Sequence, residues 1–165
     1  MSTIATLIGT LPFVRSKTFD LISRIEKLPD PAAALAWRPG PGRAHIGWQL
    51  MHIAITEEIF ATERFLPEKE RSYEDIWPRF RGGSVPDDQI PELPAIQMIL
   101  ETTRLHLLDT LHRFSDADLD KIPAGLTQRG LTLQQALELI AWHEGHHHGQ
   151  AHLTLNLFKA SHGIV

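Results

Sequence analysis

Apolar residues recur at steps of three and four in four separate stretches of the chain, a period that fits packed α-helices and not sheet. The last stretch, residues 131–158, is the clearest. Thr132 is followed three residues later by Gln135, a capping-box spacing that predicts a helix start. The stripe Leu133, Leu137, Ile140, Ala151, Thr154 and Phe158 then continues through His143 and His147. Stretch 43–66 carries Trp48, His52, Ile55, Ile59, Thr62 and Leu66 in phase. Stretch 94–114 carries Ile96, Leu100, Thr103, Leu107, Leu111 and Phe114. Residues 3–28 hold Ile22, Ile25 and Leu28 in phase, and Pro12 predicts either a start near Thr10 or a kink.

Proline and glycine fill the connections. "LPDPAAALAWRPGPGR" follows the first stretch and "WPRFRGGSVPDDQIPELP" precedes the third. Between the third and fourth, "SDADL" predicts one short helical turn capped by Ser115. No strand pattern, repeat or low-complexity linker is visible. The expected fold is all-α: a four-helix bundle in a single domain, residues 1–165, with long connections and a short extra turn. The first two connections are too long for tight hairpins, so a simple up-down order is not required.

Composition closes several routes. There is no cysteine, which excludes disulfides, a thiolate nucleophile and Cys-type zinc sites, and leaves His, Asp and Glu to hold any metal. The net charge of −4 and the absence of a Lys/Arg cluster argue against a nucleic-acid partner. No apolar run approaches the ~20 residues of a membrane span. The opening "MSTIATLIGTLPFVR" lacks a basic leader and a cleavage site, so it is expected to belong to the fold of a cytoplasmic protein.

The stretch "AWHEGHHHGQAHL" holds five histidines: His143, His146, His147, His148 and His152. His143 and His147 are one turn apart on one helix face, where two imidazoles can share one metal ion. His52 also lies on an inward stripe and is the natural third ligand. His52 alone reads as a satisfied core residue, but three histidines on inner stripes each need a buried partner or a neutralised state, and one metal serves all three. His146, His148 and His152 fall off the stripe and are expected on a solvated face, although His148 and His152 share the same spacing. His45, His106, His112 and His162 carry no signal.

"HEGHH" is also H-E-x-x-H, with Glu144 as the general base of a metal-dependent hydrolase. No strand is available to dock an extended peptide beside it. Gln150, three residues after His147, is expected to contact a ligand or orient an imidazole. Trp48 and Gln49 are further candidate walls, whereas Trp37 and Trp142 read as packing residues. Phe60, Phe65 and Trp77 hint at an apolar outer face on which two copies could pair as a homodimer.

The blocks "WRPGPGRAHIGWQLMHIAITEE" and "HEGHHHGQ", taken together, resemble the DinB-like superfamily of metal-binding four-helix bundles. The matching parts are Trp37 to Pro39, His52, His143, His147, Gly149 and Gln150. The resemblance implies a divalent metal, zinc or nickel, on His52, His143 and His147, with water or substrate completing its coordination. It also implies the thiol-dependent chemistry of S-transferases and isomerases, with a low-molecular-weight thiol cofactor; an S-transferase acting on a small-molecule substrate is the expected activity. His148 stands where the family pattern usually has a basic residue, so no anion contact is carried over there. Metal-activated water would give a hydrolase from the same ligands, and a non-catalytic metal-binding bundle is the third reading.

Overall fold

The computed structural model describes residues 2–164. Four long helices form the bundle: α1 (Thr3–Glu26), α3 (Ile46–Ile59), α5 (Leu93–Leu111) and α6 (Leu133–Ser161). Two short helices lie in the connections, α2 (Pro31–Ala36) and α4 (Trp77–Phe80). A π-helical segment, Phe60–Phe65, continues α3, and short 3₁₀ segments occupy Glu74–Ile76, Asp116–Asp118 and Ala124–Arg129. No strand is formed among the described residues.

The helix starts follow local chemistry. Thr132 and Gln135 exchange both capping-box hydrogen bonds at the start of α6, and Ser115 and Asp118 do the same for the short turn. Ser2 caps α1, which runs on through Pro12, so the helix does not start near Thr10. The α3 cap is His45, whose Nδ1 accepts the Trp48 N–H at 3.0 Å while its Nε2–H donates to the Asp87 carbonyl at 2.8 Å. An imidazole in that arrangement must be neutral. His45 therefore has a structural task that its sequence context did not reveal.

Two apolar cores are stacked along the bundle. One gathers Ile22 and Ile25 of α1, Leu50, Ile53 and Ile55 of α3, Ile96 and Leu100 of α5, and Leu155 and Phe158 of α6. The other gathers Leu11, Phe60, Leu107, Leu111, Leu137 and Ile140. The order in which each helix enters the two cores fixes its direction. α1 and α6 run parallel to each other, and α3 and α5 run parallel to each other and opposite to the first pair. Parallel neighbours α3 and α5 need a connection that returns the full length of the bundle, which explains the long, turn-rich segment after Phe65.

Between the cores lies a charged layer. Arg15 of α1, Glu57 of α3, Arg104 of α5 and Glu144 of α6 are all buried. Arg15 donates to Glu57 at 2.8 Å and to Glu144 at 2.7 Å, and Arg104 donates to both carboxylates. Thr18 donates to Glu144 at 2.7 Å. Each long helix contributes one charge, and the four sum to zero. Burying unpaired charge is prohibitive, so the layer fixes how the four helices are rotated and slid against one another. Beside it, buried Glu58 accepts from the Ser72 N–H at 2.7 Å and pairs with His106 Nδ1 at 2.8 Å.

Phe60, Phe65 and Trp77 are 5%, 4% and 3% exposed, which corrects the expectation that they form an outer pairing face. Phe60 and Phe65, in the segment that continues α3, pack into one core and Trp77 of α4 into the other, and α3 itself is central: nearly every residue from Ile46 to Ile59 is buried. A helix surrounded on all sides is mostly apolar, and its buried polar residues, Gln49, His52, Glu57 and Glu58, each have a polar partner. No helix among the described residues is long and apolar enough to cross a membrane.

Candidate metal centre

His52 comes from the middle of α3, and His143 and His147 from adjacent turns of α6. One ring nitrogen from each lies within 4.8 Å of the other two. The Nε2 atoms of His52 and His143 face each other at 3.0 Å. Zinc–nitrogen bonds of about 2.0–2.1 Å at tetrahedral angles place ligand nitrogens about 3.3 Å apart, so the spacing suits a shared ion. Among the described residues, no Asp or Glu joins this group.

The tautomers are set from behind. His52 Nδ1 hydrogen-bonds the Phe80 carbonyl at 2.5 Å, and a carbonyl can only accept. The proton is therefore on Nδ1, and Nε2 presents a lone pair. His147 Nδ1 bonds Gln49 Oε1, with the same consequence for its Nε2. Gln49 in turn donates to Gln150 Oε1 at 2.9 Å, and Gln150 Nε2 meets His146 Nε2 at 2.7 Å. Orienting bonds of this kind are what metal-ligating imidazoles need. Trp48 stacks on His52 at 4.6 Å between ring centres and covers one face of it.

The electrostatics favour neutral rings. Burial lowers the His52 pKa, and the bond to the Phe80 carbonyl opposes this only in part. Burial, then the neighbouring His52 and His146, push His143 down to about 4. Burial, then His143, His52 and His146, push His147 down to about 3. Neutral imidazole is the form that binds a metal. The donor set, its spacing and its tautomers all fit a divalent cation.

Two sequence expectations change. Glu144 does not flank the three histidines. It is 1% exposed and lies in the charged layer, with one oxygen bonded to Arg15 and Thr18 and the other to Arg104. One residue of helix is about 100° of rotation, enough to turn Glu144 toward α1 and α5 while His143 faces α3. Its carboxylate is thus committed to arginines and is not placed as a general base. Gln150 is exposed and reaches the cluster only through Gln49. It is a positioning residue, and Gln49 is the direct partner.

The remaining histidines separate cleanly. His146 is exposed and stacks on Trp142 at 4.9 Å, and Trp142 itself is 60% exposed and not a packing residue. His152 Nε2 accepts from Arg24 at 3.0 Å, whereas His148 is half-buried and not on a solvated face, its Nδ1 without a hydrogen bond among the described residues.

Two clefts adjoin the centre. One, of about 250 Å³, has His52 and His143 in its lining. The other, of about 740 Å³, is lined by Trp48, Gln49, Gln150, Leu153 and Leu157 together with the Pro39–Arg43 turn.

A model described as the DinB superfamily matches residues 13–151. The chain belongs to the DinB superfamily. The match spans both sequence blocks and all three histidines, and the helical architecture agrees with it. No curated protein and no solved structure matched the chain.

Proposed function

We propose that this DinB-superfamily protein is a divalent-metal-dependent enzyme, with zinc or nickel on His52, His143 and His147, that transfers a low-molecular-weight thiol to a small electrophilic substrate. The observation that carries the metal reading is the pair of backbone and amide acceptors, Phe80 O and Gln49 Oε1, that turn two lone pairs inward at a third imidazole. A bound divalent cation supplies the positive charge that keeps a thiol or water deprotonated near neutral pH.

The chain's own groups do the rest. Trp48 and the Phe80 carbonyl immobilise His52, and the Gln49–Gln150 relay immobilises His147. Two clefts beside one centre support a reaction with two organic partners, a thiol and an acceptor. Commitment of Glu144 to Arg15 and Arg104 weighs against peptidase-type hydrolysis, which needs a carboxylate base beside the ion.

The test has two stages. Elemental analysis of purified, untagged protein should find about one divalent metal per chain, lost in both His52→Ala and His143→Ala. The loaded protein should then consume a thiol together with a test electrophile. Metal content unchanged in both variants would end the metal reading. Release of product at the same rate with and without thiol would replace the transferase with a hydrolase.

A further inference from the structure

The smaller cleft is lined by three arginines, Arg64, Arg81 and Arg129, and by no carboxylate, in a chain whose net charge is −4. They converge from three separate elements. Arg64 belongs to the π-helical segment, Arg81 follows α4 directly, and Arg129 ends the 3₁₀ segment Ala124–Arg129.

The local structure brings them together. α4 supplies the carbonyl that orients His52, and its next residue is Arg81, so one short helix serves both the imidazole and the cleft. The 3₁₀ segment reaches the cleft because Gly125 lies against the π-helical backbone. A Cβ there would sit 2.1 Å from the Glu63 carbonyl oxygen.

Their charges are only partly answered. The nearest acid is Glu63, 3.1 Å from Arg64 and 3.8 Å from Arg81 as ion pairs. Arg64 also donates to the Gly125 carbonyl at 3.2 Å. Arg129 makes no hydrogen bond or ion pair among the described residues. Three guanidinium groups against one carboxylate leave an excess positive field in a cleft whose lining includes His52 and His143. Guanidinium groups gathered this way match the paired oxygens of a carboxylate or phosphate.

We propose that this cleft binds the oxyanion group of a small substrate, a carboxylate or phosphate, held by Arg81 and Arg129 with Arg64 as their fixed support. The anion would orient the molecule so that its reacting part meets the histidine centre. A cleft of about 250 Å³ is of a size to hold a compact acid. Its relevance to the reaction rests on the metal-enzyme reading, but anion binding is measurable without it.

The experiment is calorimetric titration of malonate and, separately, inorganic phosphate into metal-free and zinc-loaded protein at low ionic strength. Arg81→Gln and Arg129→Gln are compared with Arg113→Gln, which removes an exposed charge elsewhere. Saturable binding at one site is expected in the metal-free protein, weakened about tenfold or more by either cleft variant and unchanged by Arg113→Gln. The preferred probe identifies the oxyanion type. No saturable binding of either probe, or equal weakening by all three variants, would overturn the proposal. Zinc content is measured on the same samples. Zinc retained without anion binding sinks the anion cleft alone, whereas anion binding without zinc sinks the metal reading and leaves the cleft standing.

Discussion

Glu144 separates two readings of the same five residues, and Glu144→Gln tests them. In H-E-x-x-H chemistry the glutamate is a base, so the amide variant folds normally and is inactive. In this structure the carboxylate balances Arg15 and Arg104 at the centre of the bundle. The substitution leaves two buried guanidinium groups facing Glu57 alone. Removing one partner of a buried ion pair costs about 3–5 kcal/mol. For a domain of this size each 1 kcal/mol moves Tm by about 2–4 °C, which puts the expected loss at roughly 6–20 °C. The assay is thermal unfolding by circular dichroism, with zinc content measured at a temperature where the variant is folded. Zinc should be retained, because the bonds orienting His52 and His147 come from Phe80 and Gln49. Acid sensitivity should also fall. Burial pushes the Glu144 carboxyl up, but Arg15 and Arg104 outweigh it and hold it below the ordinary value. A depressed folded pKa contributes stability above the unfolded value, near 4.3, that is lost as pH falls through the folded one. The variant lacks that contribution. An unchanged Tm with abolished activity would refute the structural assignment and restore the base.

Three further outcomes are expected. Gln49→Leu removes the acceptor that fixes His147 and should weaken zinc binding by about 10–100-fold in a competition titration with a chromogenic chelator, with Tm of the metal-free protein nearly unchanged. His45→Asn keeps a capping acceptor but removes a buried ring whose pKa is lowered by burial; stability held above pH ~6.5 and lost as pH falls is then reduced, so urea midpoints at pH 7.5 and 5.5 should differ less in the variant than in the parent. Gly125→Ala drives a methyl into the Glu63 and Arg64 backbone and should destabilise by about 1–3 kcal/mol in urea unfolding, whereas Gly130→Ala, in open space but at positive φ, isolates the effect of backbone strain alone.

The helices and the three histidines were legible because both depend on short-range spacing. His143 and His147 are four residues apart, and His52 stands on a strongly apolar helix, so periodicity alone puts them on inward-facing stripes. The charged layer was hidden by the same rule that found the helices. Leu11, Arg15, Thr18 and Ile22 step along one face of α1, as Leu100, Arg104 and Leu107 do on α5 and Ile140, Glu144 and Ala151 on α6. Each charge sat on a core stripe, yet a single charged residue there reads as an interruption. Only the packing of four helices shows that the interruptions fall at one level and cancel. A charge on an inner stripe is expensive unless another helix answers it, so three such residues on three helices already demanded a fourth, and Glu57 supplies it. With Glu144 turned to α1 and α5, the same rotation of α6 presents His143 and His147 to His52 on α3. The glutamate of the H-E-x-x-H pattern thus belongs to the face of α6 packed on α1 and α5, and the centre on the adjoining face is oriented by Phe80 and Gln49 and not by it.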